Sequence, residues 1–212
     1  MKLRKCALIT SIIIFFAVVE SVFAKYSGGS GTQEAPYQIA TAQDLIDLGN
    51  EPNDYDKHFI MTADIDLDPN VTGIIAFPAA VIAPDGGPEF TGVFDGNNLT
   101  ISNLTIDDEG VANNYIGLFG KINLAIIKNL GLENVFVSGL DSSYVGGLVG
   151  YSDRSWNDRG SISNCYSTGS VIGNDYVGGL TGYNNRNKIS NCYSTSSVDG
   201  NDYVGGLVGY NT

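Results

Sequence analysis

The stretch NCYSTGSVIGNDYVGGLTGY (Asn164–Tyr183) returns almost unchanged as NCYSTSSVDGNDYVGGLVGY (Asn191–Tyr210), twenty-seven residues further on. Self-similarity at a fixed period of this size points to a repeat architecture. Two markers extend the pattern towards the N-terminus. An I-x-N marker occurs as ISNL at Ile101, IKNL at Ile127 and ISNC at Ile162 and Ile189. A Gly-rich marker follows as YIGLFG at Tyr115, YVGGLVG at Tyr144, YVGGLTG at Tyr176 and YVGGLVG at Tyr203. One spacing is longer because polar residues around Ser155 to Arg159, with Trp156 among them, are inserted after Tyr151, as expected of a loop.

The composition of a repeat argues against helix. Gly pairs, Ser, Thr, Asn, Val and Tyr dominate, and no apolar period of 3.6 persists. Short β-branched or aromatic segments broken by Gly and Asn read as strands and bends. A unit of this length supplies three short strands but cannot bury a core alone. Stacking equivalent units does so, each strand pairing in parallel with its copies above and below. The expectation is an all-β, right-handed parallel β-helix. A propeller is the runner-up, but its blades need about 40 residues. Asn103, Asn129, Asn164 and Asn191 are expected to stack at one bend, since Asn tolerates the left-handed conformation. The paired glycines give room beside Leu148, Leu180 and Leu207, expected inside.

The rest of the chain differs. Lys2, Arg4 and Lys5, the apolar run from Ala7 to Val19 and SVFA ending at Ala24 have the form of a secretory signal, with a membrane anchor as the alternative. Removing it leaves eight basic and 22 acidic residues, a net charge of about −14, which disfavours nucleic acid and anionic membranes. Thr41 as N-cap, Asp44 three residues on, an apolar face of Leu45, Ile46 and Leu48, and Gly49 as terminator predict a short helix capping the solenoid. HFIMTADIDLD (His58–Asp68) predicts an alternating strand with Ile60, Ile65 and Leu67 in the core. Residues 69–89 hold four of the six prolines and suggest an elaborated loop between early turns. The expected organisation is a signal over 1–24, a cap segment over 25–57 and a β-helix over 58–212 that is open at its C-terminal end. That end suggests either a longer repeat protein or an edge that docks on a partner or on another copy.

The motifs GLFG (Gly117–Gly120), GGLVGY (Gly146–Tyr151), ISNCYSTGSV (Ile162–Val171) and GVFDGNNLTISNLTI (Gly92–Ile106) resemble the GLUG-motif repeats of bacterial secreted and surface proteins. The segment from Gly28 to Leu67 is similar to the one that often precedes such repeats. The resemblance implies a β-helix in an adhesin-like or cell-surface protein. It extends to immunoglobulin-cleaving zinc peptidases, in which these repeats are not the catalytic part. This chain has no H-E-x-x-H, and its one histidine cannot supply it.

The search for chemistry returns little that is unique. His58 stands alone in sequence, and no cofactor or metal is expected. Cys165 and Cys192 occupy equivalent repeat positions and read as small core residues or as a cross-turn disulfide. Asp64, Asp66 and Asp68 share a strand face, and Asp107, Asp108 and Glu109 form a second group. Such clusters serve glycoside hydrolysis or calcium binding, or simply a solvated face. Tyrosines recur in three phases: Tyr115, Tyr144, Tyr176 and Tyr203; Tyr151, Tyr183 and Tyr210; Tyr166 and Tyr193. Such files either stabilise the turns or form an aromatic track. Tyr151, Tyr166, Tyr183, Tyr193 and Tyr210 are the candidate binding face, suited to a glycan or a surface protein. Two functions compete. One is a non-catalytic, secreted or cell-surface module that is adhesive, ligand-binding or a spacer. The other is a polysaccharide-processing enzyme, a lyase or glycosidase. Near-identical repeats and few basic residues favour the module, because a catalytic site needs a unique constellation.

Overall fold

The computed structural model describes residues 25–68, 76–153 and 160–212. The signal segment 1–24, the first part of the proline-rich stretch and the insertion around Trp156 lie outside the described residues.

The chain winds into a parallel β-solenoid of about five turns, as the repeats predict. One wall stacks Tyr37–Ile39, His58–Met61, Val93–Ser102, Ile126–Gly139, Ser161–Ser163 and Lys188–Ser190. A second wall stacks Phe119–Asn123, Val149–Asp153, Thr181–Asn185 and Val208–Asn211. A narrow third wall joins Val145–Gly146, Asp175–Gly178 and Asp202–Gly205. Every pairing between these strands is parallel, and the last turns pair in register with the sequence repeat, as Ile162↔Ile189 and Val177↔Val204 illustrate.

The helix Ala42–Gly49 is built as its sequence directs. The Thr41 hydroxyl accepts from the Asp44 N–H, completing a capping box. Asp44 Oδ2 also accepts from the backbone N–H groups of Ala40 and Thr41 (both 3.0 Å) and the Ser27 hydroxyl (2.6 Å), tying the N-terminal segment down. Leu45 and Leu48 are fully buried against the first turn. The helix ends at Gly49, as expected, with Asn50 as the C-cap. The glycine is needed for another reason: a Cβ there would lie 2.1 Å from the Val81 carbonyl oxygen. The Tyr55 hydroxyl fastens the same contact, donating to the Gly49 carbonyl and accepting from the Ala83 N–H (both 2.9 Å).

Two sequence expectations need correction and one needs completing. Ile60 is not core; Phe59 and Met61 share the inward parity of Ile65 and Leu67, which leaves Ile60 on the outer side. The proline-rich segment is irregular where it is described, as expected of a loop between early turns, but it is also tied into the stack. Phe77, Ile82 and Phe90 bridge to Ile106, Phe119 and Ile122 of the next turn, and Ile82 and Phe90 are fully buried. Lastly, Asn103 is out of phase with the other marker asparagines. Ile101 pairs with Leu132, whereas Ile127 pairs with Phe94. The first bend is therefore occupied by Asn129, Asn164 and Asn191, with Asp95 accepting from the first of them, and Asn103 belongs to the next corner with Asn134.

Candidate functional site

The repeat residues build ladders along the solenoid axis. At the first corner the Asn129 amide donates to Asp95 (3.0 Å), Asn164 to Asn129 (2.9 Å) and Asn191 to Asn164 (3.2 Å). Asn129, Asn164 and Asn191 all hold φ near +54°, the conformation for which Asn is suited. Asp95 ends this column. Burial pushes its carboxyl up. The Asn129 amide, the Lys128 ammonium (2.9 Å) and the Asn97 N–H outweigh that and hold it below the usual carboxylate range.

The tyrosines form interlocking files. Tyr115, Tyr144, Tyr176 and Tyr203 stack face to face at 5.1, 4.9 and 4.7 Å between ring centroids. Tyr151, Tyr183 and Tyr210 stack at 5.2 Å, and each meets the first file edge-on, as Tyr144 and Tyr151 do at 5.6 Å and 89°. The Lys121 ammonium sits 5.2 Å from the Tyr115 ring centre at one end of the wall. Tyr115, Tyr144, Tyr176 and Tyr203 all have positive φ, between +55° and +63°. That costs about 1–2 kcal/mol per residue, which the stacking offsets. It also explains the glycine before the second tyrosine. A Cβ at Gly150, Gly182 or Gly209 would lie 2.6–2.7 Å from the carbonyl carbon of Tyr115, Tyr144 or Tyr176.

The candidate binding residues thus fall into two places. Tyr151, Tyr183 and Tyr210 belong to the seven-ring wall. Tyr166 and Tyr193 stack separately at 5.1 Å, and the Tyr166 hydroxyl donates to Glu133 (2.6 Å). In both places the rings stack on one another, and only the last ring of each file, Tyr193 and Tyr210, keeps an open face. What they present outward is edges and hydroxyls.

The other candidate groups are engaged in structure. Asp64 accepts from the Thr100 N–H (2.7 Å), and Asp66 from the Asn103 amide (2.8 Å) and the Asp68 N–H. Asp108 is buried and accepts from the Ser142 hydroxyl at 2.6 Å. Cys165 and Cys192 are adjacent in the stack and are free thiols. Their mutual hydrogen bond drives Cys165 up, with burial adding to the shift, and draws Cys192 down to about 7 against burial. His58 lies half-buried on the first wall. Among the described residues, no cluster of His, Cys, Asp and Glu has the geometry of a metal centre.

Sequence reasoning missed two polar features. One is inside: Ser152, Asn184 and Asn211 stack in register beneath the second wall, and the Asn187 amide donates to Ser152 at 2.6 Å. The other is an outer groove beside Phe136. Strict alternation in Val135-Phe136-Val137 is the signal that could have placed that ring outside.

These features define a class: a parallel β-solenoid whose turns are clamped by outward Asn and Tyr ladders. Within that class the chain carries GLUG-motif repeats, which match residues 141–172 and 173–199. It is 35% identical over 164 residues to Halomucin of Haloquadratum walsbyi, covering 75% of this chain and 2% of that protein. It is 32% identical over 168 residues to a protein of Evansella cellulosilytica described as a Gly-rich membrane protein, covering 74% of this chain and 18% of that one. The chain therefore spans a small part of each relative's length. A solved structure of a proposed immunoglobulin A1 protease from Bacteroides ovatus shares the fold, with a TM-score of 0.60 and 21% identity over 88% of this chain and 65% of that one.

Proposed function

We propose that the chain is a non-catalytic, surface-displayed repeat module, exported by its N-terminal 24 residues. The observation that carries this reading is how the polar and aromatic groups are used. Asp64, Asp66, Asp95 and Asp108, the asparagine column and both tyrosine files are engaged in bonds from one turn to the next. Such a stack projects a stiff, uncharged-to-acidic surface. Its similarity to Halomucin and to a protein described as membrane-associated supports a place at the cell surface. Within that role the chain acts as an adhesive or spacer element, and its partner classes are glycans and surface proteins.

The test is direct. The chain lacking residues 1–24 is incubated with immunoglobulin A1 and with a panel of acidic and neutral polysaccharides. Product release is followed by mass spectrometry and reducing-end assay. The module reading expects no product above the buffer control. Cleavage that tracks the purified protein and is lost on substitution of one carboxylate would overturn it. Export is tested separately by fusing residues 1–24 to a reporter and assaying its secretion.

A further inference from the structure

Outward-facing aromatic rings occur here in two conditions. The tyrosines stack on their equals, so the inner rings Tyr144, Tyr176 and Tyr183 are covered on both faces, and only the last ring of each file, as at Tyr193 and Tyr203, is left open at the end of the stack. Phe136 has no such neighbour. Its register partners are Thr105 in the preceding turn and Ser170 in the following one. Val135 and Val137 point into the core, which holds Phe136 outside with 41% of its surface exposed.

The asparagine column of the second corner ends beside this ring. Asn103 donates to Asp66 (2.8 Å) and Asn134 donates to Asn103 (2.7 Å). In the following turn the Thr168 hydroxyl accepts from the Asn134 N–H (3.1 Å), and Gly169, paired with Val135, holds φ +127°, where a Cβ would lie 2.1 Å from the Val135 carbonyl oxygen. The column of amides therefore stops at Asn134, and no side chain projects from Gly169 beside Phe136. The result is a groove of about 370 Å³ lined by Asp68, Asn103, Thr105, Asn134, Phe136 and Ser170. It spans four successive turns, about 14 Å at the spacing of paired strands.

An uncovered apolar ring flanked by amides and hydroxyls has a specific complement. One face of a pyranose is a flat array of C–H bonds, and its rim carries hydroxyls that both donate and accept. Few convergent polar groups around an apolar surface is the usual form of a small-ligand site. The net charge of −12 and Asp68 in the lining disfavour anionic sugars. We propose that this groove binds a neutral oligosaccharide, one pyranose lying on Phe136. The Asn103 and Asn134 amides and the Thr105 and Ser170 hydroxyls meet the hydroxyls of that unit and its neighbours. The groove is distinct from the tyrosine wall, and its failure would leave the surface-module reading intact, since a spacer needs no ligand.

The experiment titrates the folded chain with cellohexaose, laminarihexaose and mannohexaose, and with an oligogalacturonate as the anionic control, by calorimetry and NMR shift perturbation. At least one neutral hexaose is expected to bind, with the oligogalacturonate weaker. Phe136→Ala should weaken binding about tenfold, and Phe136→Trp should retain it. Ser170→Phe is the sharper variant. It would stack on Phe136, cover the ring as the tyrosines cover one another, and abolish binding while leaving the melting temperature unchanged or higher. Tyr183→Ala should not alter affinity. The proposal is overturned if none of the neutral hexaoses binds, if the oligogalacturonate binds best, or if Phe136→Ala and a folded Ser170→Phe bind as the parent does.

Discussion

The first turns and the last ones solve the same stacking problem with opposite materials. In the early turns the interior is aromatic: Phe59, Phe90, Phe94 and Phe119 are fully buried and in ring contact, Phe90 and Phe119 at 5.2 Å. Following three of the interior columns upward, the side chains shrink or turn polar. Phe94 is succeeded by Ile127, Ile162 and Ile189; Leu132 by Ser167 and Ser194; Ile122 by Ser152, Asn184 and Asn211. The aromatic residues move to the outside, where they stack as tyrosine files. Cohesion in the early turns is thus hydrophobic burial around one core, while in the repeats it rests on periodic contacts between identical residues. The difference explains why only the later turns are near-identical in sequence. A packed aromatic core tolerates varied solutions, whereas a ladder works only if each turn repeats the same group.

The largest effect should come from the early core. Phe94→Ala removes a fully buried ring that touches Phe59 and Phe119. A loss of about 3–5 kcal/mol is expected by denaturant unfolding. An equal loss from truncating the half-buried Ile189, which follows Phe94 in the same column, would break the contrast between the two regions.

The ladder should respond to a subtler pair of changes. Asn164 is the middle of its column and holds φ +53°. Asn164→Ala loses both amide bonds and keeps an unfavourable backbone, for a combined cost of about 2 kcal/mol. Asn164→Gly loses the same bonds but accepts the backbone, and should recover about 1 kcal/mol of that. Equal melting temperatures for the two variants would show that the left-handed conformation is not what selects Asn there.

Much of this was legible in the sequence, and the failures have two causes. The stacking of identical residues, the left-handed asparagines and the helix with its capping box follow from rules local to a repeat. What was lost was phase in the early turns. The Phe94-Asp95 marker does not look like I-x-N, while Ile101-Ser102-Asn103 does, although it sits at the second corner. Two corners of one turn can demand the same residue type, so a motif match cannot tell them apart. The Phe136 groove was hidden for a different reason. It arises where the asparagine column stops, at Asn134, and the next turn carries Thr168 and Gly169 instead, an interruption that a search for recurrence passes over.

Acid should act on the asparagine column through Asp95. Because its folded pKa is depressed, its contribution is fully present above the ordinary value of 3.8 and is lost as pH falls through the lower folded value. Melting curves in that range should show a steeper decline for the parent than for Asp95→Asn, which keeps an acceptor for Asn129 but carries no charge. Parallel curves would mean that the column does not depend on its charged end.

The smallest expected effect is at the alkaline end, in the repeats. The hydrogen bond to Glu133, with burial adding to it, pushes the Tyr166 phenol up to about 12. A group whose folded pKa is raised stabilises the fold fully below its ordinary value, here 10.0, and loses that contribution as pH rises through the folded value. The window therefore opens near pH 10 and closes near pH 12. Tyr166 is on the surface, so solvent screening keeps the effect small. Glu133→Gln leaves an amide oxygen as acceptor but removes the charge that opposes the phenolate. Stability at neutral pH should scarcely change, while the Tyr166 phenol should ionise closer to pH 10. Ultraviolet titration of the parent, Glu133→Gln and Tyr166→Phe isolates that one tyrosinate from the others. Unchanged titration on removing the Glu133 charge would show that the pairing across these two turns is too loosely held to act as a ladder contact.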